Sequence, residues 1–269
     1  MSEVDRRPSV PDRVRRTWLA WVGVALLALV LGATLVAQRM TDSTGLWWAL
    51  LAGVVAVALL AYVRLLLDRN RPVDAGEGSA LPPARYATFG LANALTTGRG
   101  LLLAVLAGLF AVPNPGWLPA LLYGSVVLLD VLDGPVARAR DRTSVLGTRL
   151  DTAVDAAGLL VAGGLGVALG TLPVWFLAVG AARYCYVAGL WWRRRRGLHV
   201  GTLPPSRVRR PLAALQMVVT AAALAPVVGP PVTTLVATVA MTPFVVGFSL
   251  DYRAVTSRDV KQSAAQRPV

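Results

Sequence analysis

The sequence predicts an all-α integral membrane protein, with a six-helix transmembrane core preceded by an accessory two-helix hairpin, about eight spans in all. Three observations carry this. Hydrophobic residues make up 55% of the 269 residues and charged residues 15%, where about a quarter charged is ordinary for a soluble chain. The apolar residues lie in long unbroken runs rather than in alternating or heptad patterns, and a soluble domain has no interior able to hide so many of them. The segments between the runs alternate between basic and nearly uncharged, as loops on the two sides of a bilayer do.

Taken in order, the apolar runs fall at 17–38, 46–66, 90–112, 117–138, 145–169, 172–192, 210–228 and 231–250. Each holds about 19–25 residues, enough to cross roughly 30 Å of hydrocarbon at about 1.5 Å per residue. The first follows Arg6, Arg7, Arg13, Arg15 and Arg16. It is longer than a signal-peptide core and no small-x-small site follows, so it predicts a retained helix. Residues 1–70 thus form a cytoplasmic tail and accessory hairpin without a midspan carboxylate, and the Pro/Gly-rich stretch 71–83 is a linker. Residues Ala84 to Ala94, with Arg85, Tyr86 and Phe89, predict an interfacial helix leading into the third span. The working core is 84–255 and a tail, 256–269, closes the chain.

The tails and the segments Arg64 to Arg85, Arg138 to Arg149 and Arg193 to Arg210 are basic, whereas Pro113 to Gly116 and Gly229 to Pro231 carry no charge. The positive-inside rule therefore places both termini and the basic loops in the cytoplasm. A net charge of +13 would otherwise suggest nucleic acid. The arginines sit in short segments between apolar runs, however, which suits anionic lipid headgroups instead. The single cysteine, Cys185, forms no internal disulfide and reads as a packing residue.

Chemistry concentrates where the fourth run ends and the fifth begins. Asp130 and Asp133 stand at i and i+3, Asp151 and Asp155 at i and i+4, so each pair shares a helix face. An antiparallel helix pair brings the four together at the cytoplasmic boundary. Acids at that depth are expensive and mark function. No matching set of cations lies within these two helices, so ion pairing alone does not account for them. Clustered hard oxygen ligands suit magnesium or manganese, and His199, the only histidine, leaves zinc without a ligand set. Gly134 and Gly147 remove side chains where a ligand approaches the backbone. Arg138 suits a phosphate, and Ser144 either caps the fifth helix or offers its hydroxyl to a ligand. Pro135 is expected to kink the fourth span at Gly134.

From Asp130 to Asp155 the residues read D-x2-D-G-x2-A-R-x8-G-x3-D-x3-D, which resembles the signature of the CDP-alcohol phosphotransferase (CDP-alcohol phosphatidyltransferase) family. Asn93-Ala-Leu-Thr96-Thr-Gly-Arg99 resembles that family's N-x2-T-x2-R element, one span earlier on the same side. The resemblance implies a phospholipid-synthesising enzyme dependent on two Mg²⁺ or Mn²⁺ ions. Such an enzyme passes a phosphatidyl group from CDP-diacylglycerol to an alcohol and releases CMP. It implies metal ligation by Asp130, Asp133, Asp151 and Asp155, with Asp155 also the general base. Asn93, Thr96, Gly134, Ala137, Arg138, Ser144 and Gly147 would surround the nucleotide, and the enzyme would be a homodimer. Ala156 follows Asp155 where the phosphatidylinositol-phosphate branch has Arg, which turns the expectation away from inositol phosphate.

The loop from Trp191 to Arg210 is the most basic part of the core. Arg193 to Arg196 read as a headgroup-facing, topology-setting run. Arg207, Arg209 and Arg210 either share that role or, as the resemblance implies, hold a phosphorylated acceptor such as glycerol 3-phosphate. Two other classes remain open: a cation transporter, which calls for acids spread through the membrane depth, and a non-catalytic scaffold.

Overall fold

The computed structural model describes residues 10–73, 85–139 and 143–257, and of 132–139 it describes the backbone alone. Eight α-helices and no strand occur among the described residues. They are α1 (Asp12–Arg39), α2 (Asp42–Leu66), α3 (Leu91–Gly108), α4 (Leu118–Ala139), α5 (Val145–Ala168), α6 (Leu177–Arg195), α7 (Arg209–Ala223) and α8 (Val232–Thr256). Each apolar run is helical for a reason specific to lipid. No water reaches that depth, so the backbone has to satisfy its hydrogen bonds within the segment.

Six stretches are long and apolar enough to cross a bilayer: Asp12–Arg39, Asp42–Arg69, Leu91–Ala111, Val145–Ala168, Val174–Arg195 and Val232–Thr256. The chain is an all-α, multi-pass membrane protein. One of the eight expected spans is clearly shorter than its apolar run: α7 has 15 residues, since arginines open it and Pro226 follows its end. α4 runs Leu118–Ala139, and its part with described side chains, Leu118–Val131, is apolar. It continues through Gly134 and Pro135 to Ala139, so the helix is not interrupted at Gly134.

Local chemistry sets the helix ends. Thr41 caps α2 by accepting the Thr44 N–H at 3.2 Å, with Asp42 in the first turn and Arg64 in the last, both favourable to the helix dipole. Residues 85–90 are not helical, which corrects the interfacial helix expected from Ala84 to Ala94. Gly90, at φ +89°, takes a conformation that glycine alone adopts cheaply and turns the chain into α3.

α1 and α2 form a hairpin, α2 lies along α3, and α3 also packs against α4 and α5. One core joins these five helices through Val14, Trp48, Leu103, Leu106, Tyr123 and Leu150. A second, around Phe176, Val179, Met217 and Phe244, joins the later helices. In lipid, close packing rather than escape from water holds helices together. Gly100 of α3 accordingly leaves room for Leu59 of α2. On the outer side of α1, Leu27, Val30, Leu31 and Leu35 are exposed, as a lipid-facing surface requires. Cys185, read from sequence as a packing residue, is exposed on α6.

Candidate active site

α3, α4 and α5 converge on three carboxylates. Asp130 projects from the later part of α4, and Asp151 and Asp155 lie one turn apart near the start of α5. One oxygen from each falls within 4.8 Å of the others. The side chains of Asp130, Asp151 and Asp155 are 33%, 46% and 36% exposed, so a ligand can reach all three.

Between them sits Arg99 of α3, fully buried. Its Nη1 lies 2.8 Å from Asp130 Oδ1 and 2.9 Å from Asp151 Oδ1, and its Nη2 lies 2.6 Å from Asp155 Oδ1. The expectation that no cation matches the acids is corrected here. The partner comes from a third helix, not from the two that carry the carboxylates. A lone arginine within an apolar run was the available signal, because such a charge needs a partner.

Arg99 does not balance the site. A guanidinium stays protonated, yet it is one cation shared among three carboxyl groups. The carboxyl oxygens that Arg99 leaves unmatched are donors that a divalent cation would take up. Three partly exposed groups with hard oxygen donors fit Mg²⁺ or Mn²⁺, which bind through a few carboxylates while keeping water or substrate oxygens. Of the other expected residues here, the side chains of Asp133, Gly134, Ala137 and Arg138 lie outside the described residues.

Beside the carboxylates, Ser144 caps α5, accepting the Gly147 N–H at 2.9 Å. Its hydroxyl donates to Asn93 Oδ1 at 3.3 Å, and both residues are buried. A Cβ at Gly147 would stand 2.5 Å from Asn93 Oδ1. The space that glycine leaves is therefore filled by Asn93 rather than by a ligand. Thr96, also buried, donates to the Ala92 carbonyl at 3.0 Å. Asn93, Ser144 and Gly147 thus join α3 to the start of α5, with Asp151 one turn further along.

The basic segment is organised separately. The guanidinium carbons of Arg195 and Arg196 lie 4.3 Å from the ring centroids of Trp191 and Trp192 respectively, i to i+4 stacks that shield cationic heads with aromatic faces. Arg193 Nη2 donates to the Thr256 carbonyl at 3.2 Å, tying the end of α6 to that of α8. Arg209 forks onto Asp251 of α8, Nε to Oδ2 at 2.6 Å and Nη2 to Oδ1 at 2.8 Å. Arg207 and Arg210 are exposed.

Comparison with known proteins adds one finding. The sequence model of the family described as CDP-alcohol phosphatidyltransferase matches residues 89–248, which includes α3 to α7 and most of α8. No curated protein and no solved structure matches the chain.

Proposed function

Because this chain belongs to the CDP-alcohol phosphatidyltransferase family, we propose that it moves a phosphatidyl group from CDP-diacylglycerol to a phosphorylated polyol, with glycerol 3-phosphate the first candidate. The observation that carries this reading is the convergence of Asp130, Asp151 and Asp155 around Arg99 with carboxyl oxygens left unmatched. A transport pathway calls for acids spread through the membrane, whereas these are gathered at one end of α4 and α5.

Asp130, Asp133, Asp151 and Asp155 would hold two Mg²⁺ or Mn²⁺ ions, which when bound supply charge neutralisation at the diphosphate and polarisation of phosphorus. The protein's own residues do the rest. Thr96, Gly134, Ala137 and Arg138 surround the nucleotide, and the bonded set Asn93, Ser144 and Gly147 forms the wall behind it. Arg99 Nη1 and Nη2 engage Oδ1 of each acid, which fixes the carboxylates before any ligand arrives. The acceptor hydroxyl oxygen attacks the phosphorus that carries diacylglycerol, and the bridging P–O bond breaks. CMP leaves with that electron pair, while the second oxygen of Asp155 takes the hydroxyl proton. Arg207, Arg209 and Arg210 hold the acceptor phosphate, with Asp251 fixing the Arg209 fork. The site and both termini face the cytoplasm, and the enzyme works as a homodimer.

The test is CMP release by purified protein given CDP-diacylglycerol, Mg²⁺ or Mn²⁺, and a panel of glycerol 3-phosphate, inositol phosphate and serine. Metal-dependent release with one acceptor is expected, falling by about 10²–10⁴-fold in a folded Asp155→Asn variant. A protein that binds no nucleotide under any metal condition would return the chain to the transporter or scaffold reading.

A further inference from the structure

The accessory hairpin lies outside the matched family region, yet the segment leaving it enters the site. Asn70 follows the turn Leu67–Arg69 at the end of α2 and is 2% exposed. Its Nδ2 donates to the Thr88 carbonyl at 2.9 Å, an oxygen able only to accept, so its Oδ1 faces the other way and accepts Asn93 Nδ2 at 3.3 Å. Asn93 Nδ2 also donates to the Phe89 carbonyl at 2.5 Å, which leaves Asn93 Oδ1 to accept the Ser144 hydroxyl. Ser144 Oγ in turn accepts the Gly147 N–H. Every link fixes the polarity of the next, because each amide has one donating and one accepting end.

The backbone repeats the connection. The Asn70 carbonyl accepts the Tyr86 N–H at 2.8 Å, and the Arg71 carbonyl accepts the Val145 N–H at 3.0 Å. Pro72 forms an isolated bridge with Ser144. Val145 is the first residue of α5, and its N–H has no partner within the helix. The first residue after the hairpin therefore supplies one of the caps of the helix that carries Asp151 and Asp155.

We propose that Asn70 is a positioning residue of the donor site, and that through it the accessory hairpin sets affinity for the CDP moiety. This rests on the reading of Asn93, Ser144 and Gly147 as the wall behind the nucleotide. The described side-chain hydrogen bonds of Asn70 go to Thr88 and Asn93; it acts by fixing the Asn93 amide and, through Ser144, the start of α5. Loss of its side chain loosens donor binding and leaves the chemical step alone.

Full-length protein in detergent tests this with two readouts, CMP binding in Mn²⁺ and steady-state kinetics with CDP-diacylglycerol. Asn70→Ala is expected to raise the CMP dissociation constant and the donor KM roughly three- to tenfold, the loss of about one hydrogen bond, with kcat and acceptor KM unchanged. Asn70→Asp, which sets a carboxylate against the Thr88 carbonyl, raises them further. Asn70→Ala adds nothing on an Asn93→Ala background. Thr41→Ala, which removes the cap at the far end of α2, serves as the control for a weakened hairpin and leaves donor KM unchanged. If Asn70→Ala does not fold, Asn70→Ser carries the same comparison. Donor binding that weakens in Asn93→Ala but stays wild-type in the Asn70 variants would overturn the inference and spare the donor-site reading. Equal loss in Thr41→Ala would also overturn it, since hairpin stability alone would then explain the effect. A wild-type protein that binds no CMP defeats the donor-site reading, and the inference with it.

Discussion

Two arginines in this protein meet carboxylates across helices, and they do so in opposite ways. Arg209 meets Asp251 one to one, in a two-pronged pair that is 32% and 22% exposed. Arg99 is fully buried and is shared among Asp130, Asp151 and Asp155. The first arrangement is balanced and complete, and a pair in contact with solvent stabilises little. The second is unbalanced in a place where imbalance is costly. Three partly exposed carboxylates that share one guanidinium are a set a divalent cation would complete, whereas Asp251 already has a guanidinium to itself.

The comparison can be broken in a graded series. Arg99→Met should have the largest effect on stability, about 3–5 kcal/mol in metal-free protein, because it leaves carboxylates gathered without a counter-charge. Thermal unfolding in detergent measures it, and Mn²⁺ should recover more stability in this variant than in wild type. A variant as stable as wild type without metal would mean that Arg99 is not what holds the acids together. Next comes the metal-linked gain itself. At a hundred times the dissociation constant, Mg²⁺ or Mn²⁺ should stabilise wild type by about 2.7 kcal/mol. Asp151→Asn should lose most of that gain and Asp251→Asn should keep it. A gain that survives Asp151→Asn would move the metal site elsewhere. The smallest effect belongs to the balanced pair. Asp251→Asn alone should cost less than about 1 kcal/mol and raise KM for the phosphorylated acceptor while leaving donor KM as it was. An unchanged acceptor KM would assign Arg209 to the scaffold.

Helix positions were legible because the bilayer permits so few alternatives. All eight apolar runs became helices with ends near the expected residues, and the spacing of Asp151 and Asp155 carried directly into one helix face. Contacts that cross between helices were not legible. Arg99 finds its acids 31, 52 and 56 residues away, and Asn70 finds Asn93 across a segment that reads as a linker. Periodicity reports which residues share a face and is silent on what another helix brings to it. Residues 85–90 failed as a helix for a different reason. Their composition suits an interface, but a glycine with positive φ and a hydrogen bond from Tyr86 to Asn70 outweigh that local preference.

Gly180 bears on the relative height of these parts. A Cβ there would stand 2.6 Å from the Cα of Leu160, so the backbones of α5 and α6 touch, and that point of contact acts as a fixed mark on two antiparallel rulers. Measured back along α5 at about 1.5 Å per residue, Asp155 lies roughly 7 Å from the mark and Asp151 roughly 13 Å. Measured onward along α6, Arg193 lies roughly 20 Å from it. The arginine tier therefore stands a full helical turn beyond the acids in the same direction. A side chain larger than hydrogen at Gly180 would push the rulers apart and let the two tiers slip against each other.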